Sequence, residues 1–123
     1  MKIAATAVLV AALLGGCMSM QSAPTRTADG VLTGPNGMTL YIFDRDTAGN
    51  GKSMCNGPCL TLWPALMATD ADKGRGDYTV VTRDDGKKQW AYKGRPLYFW
   101  AKDAKAGDRT GDGVNNVWHL ARP

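Results

Sequence analysis

Residues 37–46 read GMTLYIFDRD, and residues 94–103 read GRPLYFWAKD. The two stretches share a glycine, a leucine, a tyrosine, an aromatic residue two positions after the tyrosine, and a closing aspartate. A tryptophan follows each copy further along the chain, Trp63 after the first and Trp118 after the second. Self-similarity of this kind is the mark of a duplicated structural unit. The chain is therefore predicted to contain two copies of one strand-turn-strand unit.

Alternating apolar residues and glycine-rich turns around both copies predict short strands. The predicted strands cover residues 31–33, 38–43, 78–83, 89–92, 96–100 and 117–120. One short helical turn is expected at residues 58–63, because Pro58 is tolerated at the first position of a helix and Pro64 ends it. Neither copy can bury its apolar face alone. The predicted fold class is therefore mainly β, a small antiparallel sandwich or barrel built from the two tandem repeats.

The N-terminus has the three parts of an export signal. Lys2 precedes an uncharged, apolar stretch over residues 3–16, and Cys17 follows. The apolar stretch is shorter than the ~20 residues that a membrane-spanning helix needs. Residues 1–16 are therefore predicted to be a cleaved signal peptide. The sequence LGGC at residues 14–17 resembles the lipobox of bacterial lipoproteins, which implies acylation of the cysteine.

The chain after the signal peptide divides into a tether and a domain. Residues 17–28 are mostly small and polar, a composition that does not offset the entropy of ordering, so we expect a lipidated, flexible tether. Residues 29–123 are predicted to form a single β-rich domain, with internal repeats at about residues 29–66 and 84–123. In Gram-negative sorting an aspartate directly after the lipidated cysteine favours the inner membrane. Met18 occupies that place and favours the outer membrane, with the domain in the cell envelope outside the cytoplasm.

The charged residues are scattered along the chain. The formal net charge is +4, with 15 basic residues interspersed among 11 aspartates and no glutamate. Mixed charges of this kind are typical of a solvated surface. Nucleic acid is therefore not an expected partner. The expected partner is the membrane, through the N-terminal lipid, and another envelope protein or a glycan is a further candidate.

Both copies of the repeat fit the pattern Y-x-[FWY]-x-x-D. Its fixed positions are Tyr41, Phe43 and Asp46 in the first copy and Tyr98, Trp100 and Asp103 in the second. The pattern resembles that of the small bacterial lipoproteins known as the secreted repeat of unknown function, and residues 55–64, 83–98 and 111–119 are similar to that family as well. Ala65 departs from it, since a second proline is expected after Pro64. The resemblance implies an envelope lipoprotein without an established reaction, in which the six fixed residues are candidates for a binding site.

Cys55 and Cys59 are the two cysteines that remain after lipidation. Outside the cytoplasm such a pair usually forms a disulfide. The alternative is a periplasmic copper-binding or thiol-redox protein, because thiolate and thioether sulfur suit Cu(I). In that alternative Met54, Met67 and His119 supply further ligands. We expect no cofactor in the first case and copper in the second.

Signatures of catalysis are scarce. The chain has a single histidine, and no spacing matches a nucleophile elbow, a zinc-protease helix or a phosphate-binding loop. Two loops, residues 44–50 and 108–116, begin like calcium sites but lack the complete ligand pattern. Most aromatic residues are expected in the core, and any that stay exposed are available to grip a sugar chain, a peptide or a protein. The predicted function is a membrane-anchored, non-catalytic binding or structural module rather than an enzyme.

Overall fold

The computed structural model describes residues 23–123. The predicted signal peptide, Cys17 and Met18 lie outside the described residues. The described part contains eight short strands, one five-residue helix and one 3-10 turn. None of its helices is long and apolar enough to cross a membrane. The elements are β1 (Arg26–Ala28), β2 (Val31–Thr33), β3 (Tyr41–Phe43), α1 (Pro58–Leu62), β4 (Met67–Ala68), β5 (Tyr78–Thr82), β6 (Lys88–Tyr92), β7 (Arg95–Pro96), the 3-10 turn (Val114–Asn116) and β8 (Trp118–Leu120).

The strands pair in an antiparallel manner throughout the described residues. β1 pairs with β2, β3 pairs with β8, and β6 pairs with β5, β4 and β7. The longest ladder joins β5 to β6, from Tyr78 opposite Tyr92 to Thr82 opposite Lys88. The turn between them needs Gly86, whose φ of 85° suits a residue without a Cβ atom. The predicted mainly β fold, with antiparallel sheets and one short helix, is confirmed.

Helix α1 begins and ends where two prolines dictate. Pro58 stands at its first position, where a backbone N–H would have no helical partner. The N–H of Trp63 closes the last turn on the carbonyl of Cys59 at 2.8 Å, and Pro64 has no N–H with which to extend it. Trp63 thereby enters the core directly after the helix, where it is almost completely buried.

The first strand lies within the segment that the sequence assigned to the tether. All three side chains of β1 are exposed, so no apolar period announces this strand. Its backbone pairs with β2, with Arg26 opposite Thr33. Thr25 is buried just before it and shares a hydrogen bond with the hydroxyl of Tyr78. The folded domain therefore starts before residue 29, where the sequence analysis placed its beginning.

The two repeats exchange their last segments. β3 of the first repeat pairs with β8 of the second, with Tyr41 opposite Leu120. In turn, Tyr98 of the second repeat forms a bridge with Ala65 of the first. Each motif is thus completed by the end of the other repeat, so neither half carries all the backbone hydrogen-bond partners that it needs.

A pseudo-twofold axis passes between the two motif tyrosines. Tyr41 and Tyr98 exchange both backbone hydrogen bonds, at 2.8 and 3.0 Å. Corresponding bonds recur on the two sides of this pair with similar lengths. They run from Asp44 N–H to the Val117 carbonyl at 2.7 Å and from Ala101 N–H to the Leu62 carbonyl at 2.9 Å. The predicted duplication is therefore expressed as twofold symmetry of the backbone.

The apolar core has two parts. One is an aromatic cluster near the axis, and the other contains Leu40 and Leu97, which occupy equivalent positions of the motif. Both leucines are fully buried. Burial of a leucine side chain contributes roughly 1.5–3 kcal/mol. Because the two repeats place these side chains in one common cluster, the stabilisation depends on both being present.

Candidate functional site

Four of the six motif residues form two hydrogen-bonded pairs that join the repeats. The hydroxyl of Tyr41 donates to Oδ2 of Asp103 at 2.6 Å. The hydroxyl of Tyr98 donates to Oδ2 of Asp46 at 2.7 Å. In each pair the tyrosine and the aspartate come from different repeats, and all four residues are buried. We call these two pairs the Tyr–Asp lock.

The second oxygen of each aspartate holds the loop that follows its motif. Oδ1 of Asp46 accepts a hydrogen bond from the N–H of Met54 at 2.6 Å. Oδ1 of Asp103 accepts two, from the N–H and the hydroxyl of Thr110, at 2.9 and 2.6 Å. The N–H of each aspartate also donates to the carbonyl of the motif's aromatic residue, three positions earlier. The spacing from aromatic residue to aspartate is therefore that of a single tight turn.

Next to the lock, rings from both repeats stack across the axis. Trp63 and Trp118 are nearly parallel, with centroids 3.8 Å apart. Phe43 stacks on Trp118 at 4.2 Å, and Trp100 lies on Trp63 at 4.0 Å. The motif tyrosines meet the same tryptophans edge-on, at 5.4 and 5.1 Å. Such pairs add about 0.5–1.5 kcal/mol each beyond burial. Each of these pairs either joins the two repeats or includes a ring that contacts the other repeat.

Burial keeps the hydroxyl groups of the lock protonated. The pKa of Tyr41 and the pKa of Tyr98 are both raised well above that of an ordinary phenol, chiefly because burial penalises the phenolate. The pKa of Asp46 is raised as well, since its desolvation outweighs the hydrogen bonds from Tyr98 and Met54 that lower it. Both tyrosines are therefore donors at neutral pH, which suits a structural bond better than proton transfer.

A buried arginine reinforces one side of the lock. Nη1 of Arg83 donates to Oγ of Ser53 at 2.8 Å and to Oε1 of Gln89 at 2.7 Å. Its Nη2 donates to the carbonyl of Cys55 at 2.5 Å and to Oδ1 of Asn56 at 2.9 Å. The side chain is inaccessible, so these acceptors replace water around its two terminal nitrogens, while its Nε lies 3.5 Å from Oδ2 of Asp85.

Ser53 connects this arginine to the lock. Its hydroxyl lies 2.6 Å from the hydroxyl of Tyr98, which in turn donates to Asp46. On the other side of the axis, Asp103 is held by Thr110 in addition to its tyrosine. The two halves of the lock therefore share the same tyrosine–aspartate hydrogen bond and differ in the residues around it.

Cys55 and Cys59 form a disulfide, as the sequence predicted, with Cα atoms 5.3 Å apart. Both sulfurs are engaged, so copper coordination by them requires prior reduction to thiolates. Of the further ligands in the copper alternative, Met54 is 57 % exposed, and Nε2 of His119 lies 2.7 Å from Oδ2 of Asp44. Within the described part of the chain, no three His, Cys, Asp or Glu side chains are grouped to hold a metal ion. The copper alternative stays a prediction.

An apolar cleft of about 380 Å³ opens beside the disulfide. Its apolar lining consists of Phe43, Cys59, Leu62, Trp63, Val117 and Trp118. Two polar residues complete the lining, Arg45 and Asn115. Arg45 makes no hydrogen bond or ion pair among residues 23–123, so its charge is available to a ligand. We call this site the Arg45 cleft.

A protein-family model described as a secreted repeat of unknown function matches residues 24–67 and 79–122. The two matches cover more than half of the chain, and each contains one copy of the motif. The chain belongs to this family. Both matched repeats begin earlier than the predicted starts at residues 29 and 84, and the first includes strand β1. No curated protein and no solved structure matches the chain.

The motif of the secreted repeat family lies in the interior of this chain. Tyr41, Phe43 and Asp46 are buried, and so are their counterparts in the second repeat. Their contacts join the repeats to each other. That these residues also contribute to a binding surface stays a prediction, and their burial favours the structural role.

Several residues of this secreted repeat protein become important only in three dimensions. Arg83 stands beside Asp84 and Asp85 and has the sequence context of a solvated surface charge, and nothing local indicates its burial. Arg45 and Leu62 are likewise inconspicuous in the sequence. The sequence does offer one indication for Leu62. It is an apolar residue on a predicted helix that is too short to have a buried face, so its side chain is available for another contact.

Proposed function

We propose that this chain is a lipid-anchored, non-catalytic module of the cell envelope that binds a segment of another envelope protein. The anchor is the acylated Cys17, and Met18 favours the outer membrane. The binding site is the Arg45 cleft. Membership of a secreted family and the disulfide both support a domain outside the cytoplasm.

The observation that carries the proposal is the Tyr–Asp lock. It commits the family's fixed residues to holding two repeats together, with each polar group satisfied inside the domain. Residues used in this way build a rigid scaffold, whereas a reaction centre needs groups that reach a substrate. This division of labour supports a module that presents a surface.

The lining of the Arg45 cleft favours a peptide over a glycan. A sugar carries hydroxyl groups on most of its carbons, and each needs a hydrogen-bond partner when it is buried. The cleft offers only two polar side chains, Arg45 and Asn115, among apolar neighbours. An apolar side chain with a nearby carboxylate matches this arrangement, because the carboxylate pairs with the free guanidinium.

Anchoring is tested on protein extracted from its own membranes. Intact-mass analysis should give a chain that begins at Cys17 and carries fatty acid, whereas a Cys17→Ala variant should retain residues 1–16. A native chain with an uncut leader would refute the anchor. A processed N-terminus without fatty acid would do the same.

Binding is tested by placing a photo-crosslinking amino acid at Leu62 or at Met67 in living cells. The two side chains are 46 % and 47 % exposed, but only Leu62 lines the cleft. We expect a discrete protein adduct from position 62, lost in an Arg45→Glu background, and no such adduct from position 67. Equal adducts from both positions, or an adduct that ignores Arg45→Glu, would contradict the proposal. An adduct to a glycan would refute the peptide as the ligand and would support the other predicted partner, a glycan.

A further inference from the structure

A second pocket, separate from the Arg45 cleft, collects positive charge. Its volume is about 250 Å³. Its charged lining residues are Lys93, Arg95 and Arg122, and its other lining residues are Ile42, Tyr92, Leu120 and Ala121. No carboxylate is among them. We call this site the basic pocket.

The three cations have no carboxylate partner among residues 23–123. Nζ of Lys93 lies over the ring of the preceding tyrosine, 5.3 Å from its centroid. Nη1 of Arg122 reaches only the carbonyl of Gly30, at 3.4 Å. The side chain of Arg95 makes no hydrogen bond or ion pair in this range. Its charge acts at a distance on the buried Asp46, where it opposes the rise in pKa. Like charges gathered in this way repel each other, and a bound anion relieves that repulsion.

The backbone that carries two of these cations is fixed before any ligand arrives. The N–H of Lys93 donates to the carbonyl of Asp77 at 2.8 Å, and the N–H of Gly49 donates to the carbonyl of Gly94 at 2.9 Å. The approach is so close that a Cβ atom on Gly94 would stand 2.6 Å from the nitrogen of Gly49. A site built on such a turn loses little conformational freedom when it binds.

The basic pocket lies at the end of the domain from which the N-terminal chain leaves. Tyr92 lines both this pocket and an adjoining groove, and Ala23 lines that groove. Ala23 follows Cys17 by six residues, and a fully extended chain of that length spans about 20 Å at most. This step rests on the proposed function: a lipid on Cys17 keeps this end of the domain close to the membrane headgroups.

We propose that the basic pocket binds the phosphate of an anionic phospholipid in the membrane that holds the anchor. Three cations that line one pocket match the charge of a phosphodiester. An amphipathic tyrosine in the same lining is typical of a protein surface at headgroup level. The contact orients the domain, so that the basic end faces the membrane.

The test uses protein from its own membranes, reconstituted into vesicles of phosphatidylcholine alone or of an equimolar mixture with phosphatidylglycerol. Neutral reagents modify lysine and arginine side chains, and mass spectrometry gives the rate at each residue. Lys93 and Arg95 should react about fivefold more slowly on the anionic vesicles, the factor expected per cation near an anionic surface. Lys52 and Lys87, which lie outside the pocket, serve as internal controls and should keep their rates.

A double variant, Arg95→Gln with Arg122→Gln, should abolish the protection of Lys93, and the matched variant Lys52→Gln with Lys87→Gln should retain it. Protection that persists in the first variant would overturn the proposal, as would equal slowing of all lysines. The assignment to a lipid would be overturned by a different pair of results. Soluble glycerol phosphate would protect Lys93 on vesicles of phosphatidylcholine alone, and vesicles that contain phosphatidylglycerol would not protect it.

Flotation of the same samples separates this proposal from the proposed function. Protein that floats with phosphatidylcholine vesicles but shows no protection on the anionic ones refutes the basic pocket and leaves the anchor intact. Protein that does not float with phosphatidylcholine, but is protected by phosphatidylglycerol, refutes the anchor and supports the pocket.

Discussion

Replacing Tyr98 by phenylalanine removes one hydroxyl from the lock and leaves the ring in place. That hydroxyl donates to Asp46 at 2.7 Å and lies 2.6 Å from the hydroxyl of Ser53. Tyr98 is fully buried and Asp46 is 3 % exposed, so water does not replace the lost donor. A hydrogen bond to a charged group contributes about 1.5–3 kcal/mol, and the loss of the hydrogen bond between Ser53 and Tyr98 adds to this. We expect Tyr98→Phe to lower the free energy of unfolding by about 3 kcal/mol.

The assay is chemical and thermal denaturation of a double-mutant cycle. A loss of this size in a domain of about 100 residues lowers the melting temperature by roughly 10–20 °C. The informative quantity is the coupling between Tyr98→Phe and Asp46→Asn, which are in contact across the repeats and should couple by about 1–2 kcal/mol. Tyr98→Phe and Asp103→Asn belong to one copy of the motif but share no hydrogen bond, so their effects should add.

The control is a second double-mutant cycle on the other tyrosine, Tyr41, for which the expected aspartate partners are exchanged. Tyr41→Phe should couple with Asp103→Asn and not with Asp46→Asn, because the second pair of the lock mirrors the first. If each tyrosine instead couples with the aspartate of its own repeat, the cross-repeat lock is refuted, and with it the explanation of the motif.

Four further predictions concern the lock and its surroundings. Because the pKa of Asp46 is raised, the folded chain keeps the proton of this carboxyl group over a pH range in which the unfolded chain has lost it. The free energy of unfolding should therefore fall as pH rises from about 4 toward neutrality. Asp46→Asn should flatten that fall in denaturant titrations. Asp85→Asn tests a pH dependence of the opposite sign. The Lys87 N–H lowers the pKa of Asp85, so the contribution of Asp85 to the free energy of unfolding is lost as pH falls, and the variant should lack that loss. Gly111→Ala should lower stability by about 1–3 kcal/mol in thermal melts, because its Cβ atom would stand 2.8 Å from the ring of a core tryptophan. A thiol assay should find no free thiol in the folded domain before reduction and two after it, with a loss of about 2 kcal/mol on reduction, and two reactive thiols in the untreated protein would favour the copper alternative.

Local chemistry was enough to predict much of the fold. The hairpin of β5 and β6 follows from alternating residues and a glycine turn, and helix α1 follows from the prolines at its two ends. These signals act over a few residues, so they are legible in the chain itself. Strand β1 gave no such signal, because it buries no side chain and is held by its backbone and by the burial of Thr25.

The partners within the lock could not be predicted from the sequence. The motif places Tyr41 five residues before Asp46, which indicates a local pair. The actual partner of Tyr41 is Asp103, 62 residues away, because the strands cross at the axis before the turns that carry the aspartates. Arg83 shows the same limit: its charge and its acidic neighbours indicate solvent, whereas the fold surrounds it with acceptors contributed by distant segments.

The two repeats are alike in what joins them and unlike in what they expose. Arg45 and Lys102 occupy the same motif position, yet Nζ of Lys102 lies 5.7 Å from the centroid of the Trp100 ring, while Arg45 lines an open cleft. A duplicated chain can vary one copy at such positions without opening the core, provided that the residues crossing the axis are kept. The contacts that recur about the axis are therefore the structural ones, and a specific function is expected at features that have no counterpart.

The basic pocket meets this criterion. Lys93 and Arg95 correspond in the first repeat to Asn36 and Met38, which are uncharged. If both copies carried the cations, the twofold axis would place equal charge at two ends of the domain, and an anionic surface would have no preferred end to attract. In the proposed contact with the membrane, charge confined to one copy, beside the groove that Ala23 lines, gives the domain a single favoured orientation.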